Sequence, residues 1–161
     1  MEDKPIKRDP NIVLLSREHH FGLLFGWKLR QGLKFGIEPE RMKGYIMYFW
    51  GDNLREHFAT EERLLFQDKS DDMVAEGLKQ HKGIQYLVEE IKQSEQPTVA
   101  QMNELADLVS DHIRFEEREL FPHLEEKFSD VELINIGRIL EELHRTPLKD
   151  DYPDEFWLKK S

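Results

Sequence analysis

The 161-residue sequence predicts an all-α protein: an up-down-up-down antiparallel four-helix bundle with a short C-terminal helix and an irregular tail. Apolar residues recur every three or four positions in four long segments, which is typical of helices that bury one face. Clusters of Gly, Pro, Asp and Ser separate these segments, and no segment alternates apolar and polar residues as a half-buried strand would. We expect a single domain over residues 1–161, with the bundle core in about 11–128 and the C-terminal helix and tail in 129–161.

Each of the four long helices is bounded by residues that favour a helix end. The first helix covers roughly residues 11–35, and Gly36 suits its C-terminus because glycine adopts a left-handed backbone without penalty. The second helix begins near Pro39, which the first turn of a helix tolerates. The stretch "QDKSDD" separates the second helix from the third, and "SEQPT" separates the third from the fourth.

The C-terminal region predicts one further helix. Ser129 and Glu132 form the S-x-x-E pattern of a capping box, which opens a helix that runs to about His144. The tail "TPLKDDYPDEFWLKKS" contains two prolines, so we expect it to be irregular and to dock through Phe156 and Trp157.

The composition argues against several classes of function. The net charge is −10 and no basic run occurs, which argues against a nucleic-acid partner. No apolar run is long enough to span a membrane and the N-terminal residues lack the apolar core of a signal peptide, so we expect a cytoplasmic protein. The absence of cysteine excludes disulfides, thiolate zinc sites and cysteine-bound iron–sulfur clusters within this chain.

The pattern H-x-x-x-E-E-R-x-L-F occurs twice, beginning at His57 and at His112. In each copy the histidine and the first glutamate, Glu61 or Glu116, are four residues apart and therefore share one helical face. The next two residues of each copy are expected to lie on other faces and to form surface ion pairs. These are Glu62, Arg63, Glu117 and Arg118.

Four histidines are expected to lie at one level of the bundle. Two residues at the same level of an antiparallel helix pair are equally far from the connecting turn, so the midpoint of their residue numbers falls in that turn. The midpoint of His19 and His57 is 38, and that of His57 and His81 is 69. The midpoint of His81 and His112 is 96.5. All three midpoints fall in the turn sequences that separate the four long helices.

The other histidines fit this arrangement less well. His20 satisfies the midpoint test nearly as well as His19, but leucines four positions away on either side favour His19 as the buried residue. The midpoint of His123 and His81 is 102, inside the fourth helix, and His144 lies outside the four long helices.

The predicted layer gathers four imidazoles and two carboxylates in a helical core. Buried carboxylates must be paired, hydrogen-bonded or bound to metal. A mixed set of nitrogen and oxygen ligands suits iron, manganese or zinc. Two carboxylates that can each bridge favour two metal ions over one. The predicted metal ligands are His19, His57, Glu61, His81, His112 and Glu116.

These residues resemble the signature H…H-x-x-x-E…H…H-x-x-x-E of the hemerythrin-like family, also called the HHE cation-binding domain. The resemblance covers roughly residues 10–128, and "LSREHH" and "HIRFEERELFPHL" are also similar to this family. It implies a four-helix bundle that holds two iron ions in a non-haem di-iron centre, with Glu61 and Glu116 as bridging carboxylates. Zinc and manganese remain alternatives to iron.

The sequence departs from the oxygen carriers of this family in two respects. Those proteins have a fifth histidine one turn along the third helix, where this chain has Gly77 and Gln85 on either side of His81. They also place the last carboxylate one residue further from its histidine. The resemblance therefore does not imply reversible oxygen carriage, and water or a side chain such as Glu56 or Tyr86 is a candidate for the missing ligand.

Three functions are compatible with this pattern. The first is a protein that binds or senses a small diatomic ligand, oxygen or nitric oxide, or that handles iron. The second is an enzyme, either a di-iron oxidase or a peroxide scavenger, and the ligand residues alone do not separate it from the first. The third, a metal-free interaction module, is disfavoured because the four histidines share one layer. We favour a binding role, and the sequence indicates no particular protein partner.

Overall fold

The computed structural model describes residues 7–159, in which the regular secondary structure is entirely helical and no strand occurs. This part of the chain forms five helices, of which the first four are long. The first is Val13–Lys34, the second covers residues 39–64, the third is Asp72–Gln93, the fourth covers residues 99–127 and the fifth is Asp130–Leu143.

The second and fourth helices each contain a π-helical turn, which widens the helix and shifts the face on which the following residues lie. One turn precedes His57 and the other begins at Glu116. The π turns are Trp50–Leu54 and Glu116–Leu120, and the α-helical parts around them are Pro39–Phe49, Arg55–Leu64, Val99–Phe115 and Phe121–Lys127.

The helix ends follow the predicted signals. Gly36 has a φ of 71°, a left-handed conformation that ends the first helix and that other residues adopt at a cost. The Asp71 side chain accepts hydrogen bonds from two backbone N–H groups at the start of the third helix. The capping box of Ser129 and Glu132 is confirmed, since each side chain bonds the backbone N–H of the other residue.

Neighbouring helices run in opposite directions, because higher residue numbers on one helix meet lower numbers on the next. The first and second helices meet through Phe25 with Phe49 and His19 with His57, and the second and third through Lys43 with Ser94 and Phe58 with His81. The third and fourth helices meet through Gln80 with His112 and Asp71 with His123. The fourth helix contacts the first through Glu116 with His19 and Asp107 with Arg30.

The apolar core is divided into two clusters. One includes Phe25, Tyr45 and Phe49, and the other includes Phe66 and Phe121. Burying such a side chain contributes roughly 1.5–3 kcal/mol each. The histidines and glutamates of the predicted layer lie between the two clusters, so both sides of the layer are closed by packed apolar residues.

The C-terminal tail docks through Phe156 and Trp157 as predicted, because both side chains are buried. Both rings contact Tyr45 of the second helix, and Trp157 also contacts Lys28 of the first. A buried lysine also holds the tail in place. Lys28 Nζ lies 3.0 Å from Asp150 Oδ2 and 4.0 Å from the centre of the Trp157 ring. The Tyr45 hydroxyl donates a further hydrogen bond to Asp150.

None of the helices within residues 7–159 combines the length and the apolar character that a transmembrane helix requires.

Candidate metal centre

The six residues predicted as ligands converge in the layer between the two apolar clusters. Four helices supply them. All six are buried, and both glutamates are 0% exposed. Ionisable groups are rarely buried to this degree unless they are paired or bind a metal. The first helix gives His19, the second His57 and Glu61, the third His81, and the fourth His112 and Glu116.

The six side chains form two groups that share both glutamates. In each group the candidate ligand atoms lie within 4.8 Å of one another, so one metal ion can reach all of them. Both glutamates can therefore bridge two ions, while each histidine serves one. The first group is His19, His57, Glu61 and Glu116, and the second is His81, His112, Glu61 and Glu116.

The Nε2 atoms of the four histidines point inward, at the glutamates. His57 Nε2 lies 3.3 Å from Glu61 Oε2, while the other oxygen of Glu61 lies 3.1 Å from His81 Nε2. Glu61 therefore faces one group with each oxygen. His19 Nε2 lies 2.9 Å from Glu116 Oε1, and His112 Nε2 lies 3.3 Å from the same atom.

Four inward-facing atoms lack a hydrogen-bond partner among the residues that the structure describes. Buried polar atoms nearly always have such a partner, because losing hydration without replacement is costly. Metal coordination would satisfy all four atoms at once, so this donor set fits a site for two metal ions. The atoms are His57 Nε2, Glu61 Oε2, His112 Nε2 and Glu116 Oε2.

The comparison with known proteins agrees with this geometry. A family model of the hemerythrin HHE cation-binding domain matches residues 28–124, more than half of the chain. The chain belongs to this family. The matched span includes five of the six converging side chains and begins after His19. No curated protein and no solved structure is significantly similar to the chain.

In this hemerythrin-family site, the outer nitrogen of each histidine is also engaged. His19 Nδ1 donates to Glu117 Oε1 at 2.7 Å, and His81 Nδ1 donates to Glu62 Oε2 at 3.0 Å. Glu117 does form an ion pair with Arg8 and Glu62 is exposed, as expected, but both carboxylates also bond a histidine of the layer, which the expectation of surface ion pairs did not include. Such bonds fix the ring so that Nε2 faces the metal position, and a carboxylate acceptor increases the basicity of the ring.

The remaining two histidines, His57 and His112, each donate to a residue that immediately precedes another layer histidine in the sequence. His57 Nδ1 donates to Glu18 Oε1 at 2.8 Å, and His112 Nδ1 donates to Gln80 Oε1 at 2.7 Å. The other oxygen of Glu18 lies 2.8 Å from His144 Nε2 at the end of the fifth helix. His144 is thus connected to the layer although it lies outside the four long helices.

The sequence contains signals for these outer contacts. Each copy of the repeated motif carries two adjacent glutamates, and a polar residue precedes both His19 and His81. Assigning each residue to one helical face does not predict the contacts, because Glu62 and Glu117 reach histidines on a neighbouring helix. A glutamate side chain is long enough to cross between adjacent helices.

The choice between the two adjacent histidines is decided by burial. His19 is 4% exposed and faces the layer, whereas His20 is exposed and contacts only the Phe21 ring among the described aromatic contacts. His123 lies apart from the layer and bonds Asp71 at 2.6 Å.

No protein side chain among the described residues takes the place of the fifth histidine of the oxygen carriers. A side chain at Gly77 would collide with Leu120, since its Cβ would lie 2.8 Å from Leu120 Cδ2. Tyr86 is 77% exposed and Glu56 is also exposed, so neither belongs to the two groups of converging atoms. The suggestion that Glu56 or Tyr86 completes the site is wrong.

Electrostatics in the metal-free site favour charged pairs. Burial alone would lower the pKa of His57, but the charge of Glu61 and the hydrogen bond with Glu18 outweigh burial and raise this pKa to about 9. Burial and the neighbouring Glu116 would raise the pKa of Glu61, yet His57 and His19 hold it below its usual range. Metal ions must therefore displace protons from the histidines when they bind.

A small cavity lies beside the layer and is bordered by His57 and His112. Its volume is about 10 Å³, which is room for one water-sized molecule. Most of its wall is apolar, formed by side chains of the first, second and fourth helices. A cleft of about 90 Å³ adjoins it at Glu18 and His57 and includes His144. The apolar lining includes Phe21, Phe49, Leu54, Phe58, Val109 and Ile113.

Proposed function

We propose that this protein is a non-haem di-iron protein of the hemerythrin type and that it binds or senses a small diatomic ligand. One observation carries the proposal: two groups of buried ligand atoms share both glutamates. In this arrangement Glu61 and Glu116 bridge two ions, and two histidines complete each position. The scaffold is a single domain in which the four long helices form an up-down-up-down bundle.

Iron is the metal that best combines the donor set with the family. Histidine nitrogen and carboxylate oxygen also suit manganese and zinc, so the ligand types alone do not select one metal. Two ferrous ions would supply redox activity and open coordination positions for a diatomic ligand. The histidines and glutamates of the layer would hold these ions, while the apolar clusters exclude bulk water and the outer hydrogen bonds keep the imidazole rings oriented.

The cavity supports oxygen or nitric oxide as the ligand. It borders His19 and His57 of the first group and His112 of the second, and it has room for one small molecule, whereas an organic substrate would need a far larger pocket. Its apolar wall favours an uncharged diatomic molecule over an ion. These features support binding or sensing over oxidation of an organic substrate.

A peroxide-scavenging enzyme is the alternative, and one observation favours it. Cleavage of peroxide consumes protons. His144, Glu18 and His57 form a chain of polar contacts, with 2.8 Å at each step, that begins at the surface cleft and ends at the layer. Peroxide added to the reduced protein would distinguish the two functions, since a scavenger turns over many equivalents and a binding protein does not.

The test of the diatomic ligand uses a variant that fills the cavity. Val109→Ile adds one methylene group to the cavity wall, and Val131→Ile adds the same group at a position that is 67% exposed. We expect both variants to retain two irons per chain. Nitric oxide should change the visible spectrum of reduced wild type and Val131→Ile protein, and should bind more slowly to Val109→Ile. An iron-loaded wild-type protein whose spectrum responds to neither oxygen nor nitric oxide would contradict the proposal.

A further inference from the structure

The same contacts recur in the two halves of the site. The first and second helices form one half, and the third and fourth form the other. His19 donates to Glu117, which follows the shared Glu116 of the other half, and His81 donates to Glu62, which follows the shared Glu61. His57 donates to Glu18, the residue before His19, and His112 donates to Gln80, the residue before His81. The equivalent residues are His19 and His81, His57 and His112, Glu61 and Glu116, and Glu62 and Glu117.

One equivalent pair breaks this correspondence. The residue that accepts from His57 is Glu18, whereas the residue that accepts from His112 is Gln80. The two hydrogen bonds are nearly equal in length, 2.8 and 2.7 Å, so the geometry is alike and the charge differs. A carboxylate acceptor makes the imidazole a stronger donor to a metal than an amide does.

His144 fixes the position of Glu18 and partly offsets its charge, whereas Gln80 at the equivalent place carries no charge. The Glu18 side chain is only 11% exposed, and His144 Nε2 holds its second oxygen at 2.8 Å. His144 Nδ1 in turn bonds the Leu140 carbonyl at 2.6 Å, which anchors the pair to the fifth helix. Glu18 is thus fixed on both oxygens.

The other outer acceptors are carboxylates in both halves. Glu117 accepts from His19 and is also 2.9 Å from Arg8, while Glu62 accepts from His81 and is 45% exposed. Solvent weakens the effect of the Glu62 charge, and Arg8 weakens that of Glu117. The main chemical difference between the halves is therefore the acceptor of the second histidine, which is the carboxylate of Glu18 in one half and the amide of Gln80 in the other.

We propose that the two metal positions are inequivalent and that Glu18 makes the His19 and His57 position bind the first metal ion. This inference rests on the proposed two-metal function. The first ion binds about 10-fold more tightly than the second, in keeping with the usual effect of such outer hydrogen bonds. The chain can then hold one ion at low metal supply, or two different metals in defined positions.

The test is a titration of the metal-free protein with Zn²⁺, which is diamagnetic and has no redox chemistry. Calorimetry gives the number of ions bound. Nuclear magnetic resonance of the ring nitrogens of His57 and His112 reports which position fills. For a 10-fold ratio of affinities, about three quarters of the His57 signal change and about one quarter of the His112 signal change should occur within the first equivalent in wild-type protein.

Near-isosteric exchanges provide the matched variants. Glu18→Gln and Gln80→Glu each give both halves the same acceptor, so the His57 and His112 signals should shift together. The double exchange, Glu18→Gln with Gln80→Glu, should reverse the order and fill the His112 position first.

The outcomes separate this inference from the function on which it rests. Two ions with simultaneous shifts in wild-type protein, or an order that the double exchange leaves unchanged, would overturn the inference and leave the two-metal site intact. Fewer than two ions in wild-type protein would overturn both.

Discussion

At the residue scale, each histidine of the layer uses its two ring nitrogens for different tasks. Nε2 faces the shared glutamates, and Nδ1 donates to an outer acceptor. The outer bond selects the tautomer whose Nε2 lone pair is directed at the metal position. In the proposed metal site, the outer acceptors would therefore influence how well the histidines bind a metal that these acceptors do not touch.

Removal of an outer carboxylate should weaken metal binding without abolishing the site. Glu117→Ala removes the acceptor of His19 Nδ1, and Glu62→Ala removes that of His81 Nδ1. We expect each variant to lose about 10- to 100-fold in metal affinity, measured by competition with a chelator. Glu119→Ala, which changes an exposed glutamate in the π turn that begins at Glu116, is the control and should bind like wild type. Unchanged affinity in both outer variants would show that these bonds do not orient the histidines.

The stability of the metal-free protein should depend on pH through the same histidines. The pKa of His57 is raised from 6.5 to about 9, so its protonated form is favoured in the folded state. This contribution is complete below pH 6.5 and is lost as the pH rises through about 9, a loss on the order of 3 kcal/mol. Urea unfolding of chelator-treated protein between pH 6.5 and 9.5 measures it.

Two variants serve as controls for this pH dependence. His57→Gln should reduce the loss, whereas His20→Gln changes an exposed histidine outside the layer and should preserve it. A free energy of unfolding that stays constant from pH 6.5 to 9.5 in the wild-type protein would contradict the charged pairing.

At the element scale, the fifth helix and the tail secure the helices that carry the ligands. Leu133, Ile136 and Leu140 of the fifth helix are buried in the apolar cluster that closes one side of the layer. The tail closes the other cluster through Phe156 and through the ion pair of Lys28 with Asp150. These segments follow the last ligand in sequence yet support both sides of the site.

The ion pair of Lys28 with Asp150 should contribute to the stability of the folded chain. The Lys28 and Asp150 side chains are 6% and 1% exposed, so removal of one partner leaves an unpaired buried charge. Lys28→Met or Asp150→Leu alone should cost about 3–5 kcal/mol, measured by urea unfolding. The double variant removes both charges and should be less destabilised than either single variant. Additive losses in the double variant would show that the two charges act independently.

At the scale of the whole molecule, the sequence predicted the features that depend on periodicity and on helix ends. The all-helical fold, the capping box at Ser129 and the docking of Phe156 and Trp157 follow from local patterns, and the structure agrees with each of them. Turn positions and residue numbers were sufficient to predict which histidines share a layer, because the distance along a helix is proportional to residue number. The six side chains do converge, and their role as ligands stays a prediction.

The features that could not be predicted from the sequence depend on contacts between helices. No local pattern in one helix shows that Glu117 reaches His19, or that His144 at the end of the fifth helix reaches Glu18. The π turn that begins at Glu116 likewise has no recognisable signal in the residues around it. Side-chain length and the packing of neighbouring helices decide these contacts, so only the assembled molecule reveals them.

If Glu61 and Glu116 bridge two metal ions, their removal should change the amount of iron bound per chain. The measurement compares wild type, Glu61→Ala, Glu116→Ala and the control Glu119→Ala, each purified from cells grown with iron. Loss of a bridging carboxylate removes a ligand from both positions, so each bridging variant should hold at most one iron, while wild type and the control hold two. Two irons in both bridging variants would contradict the claim.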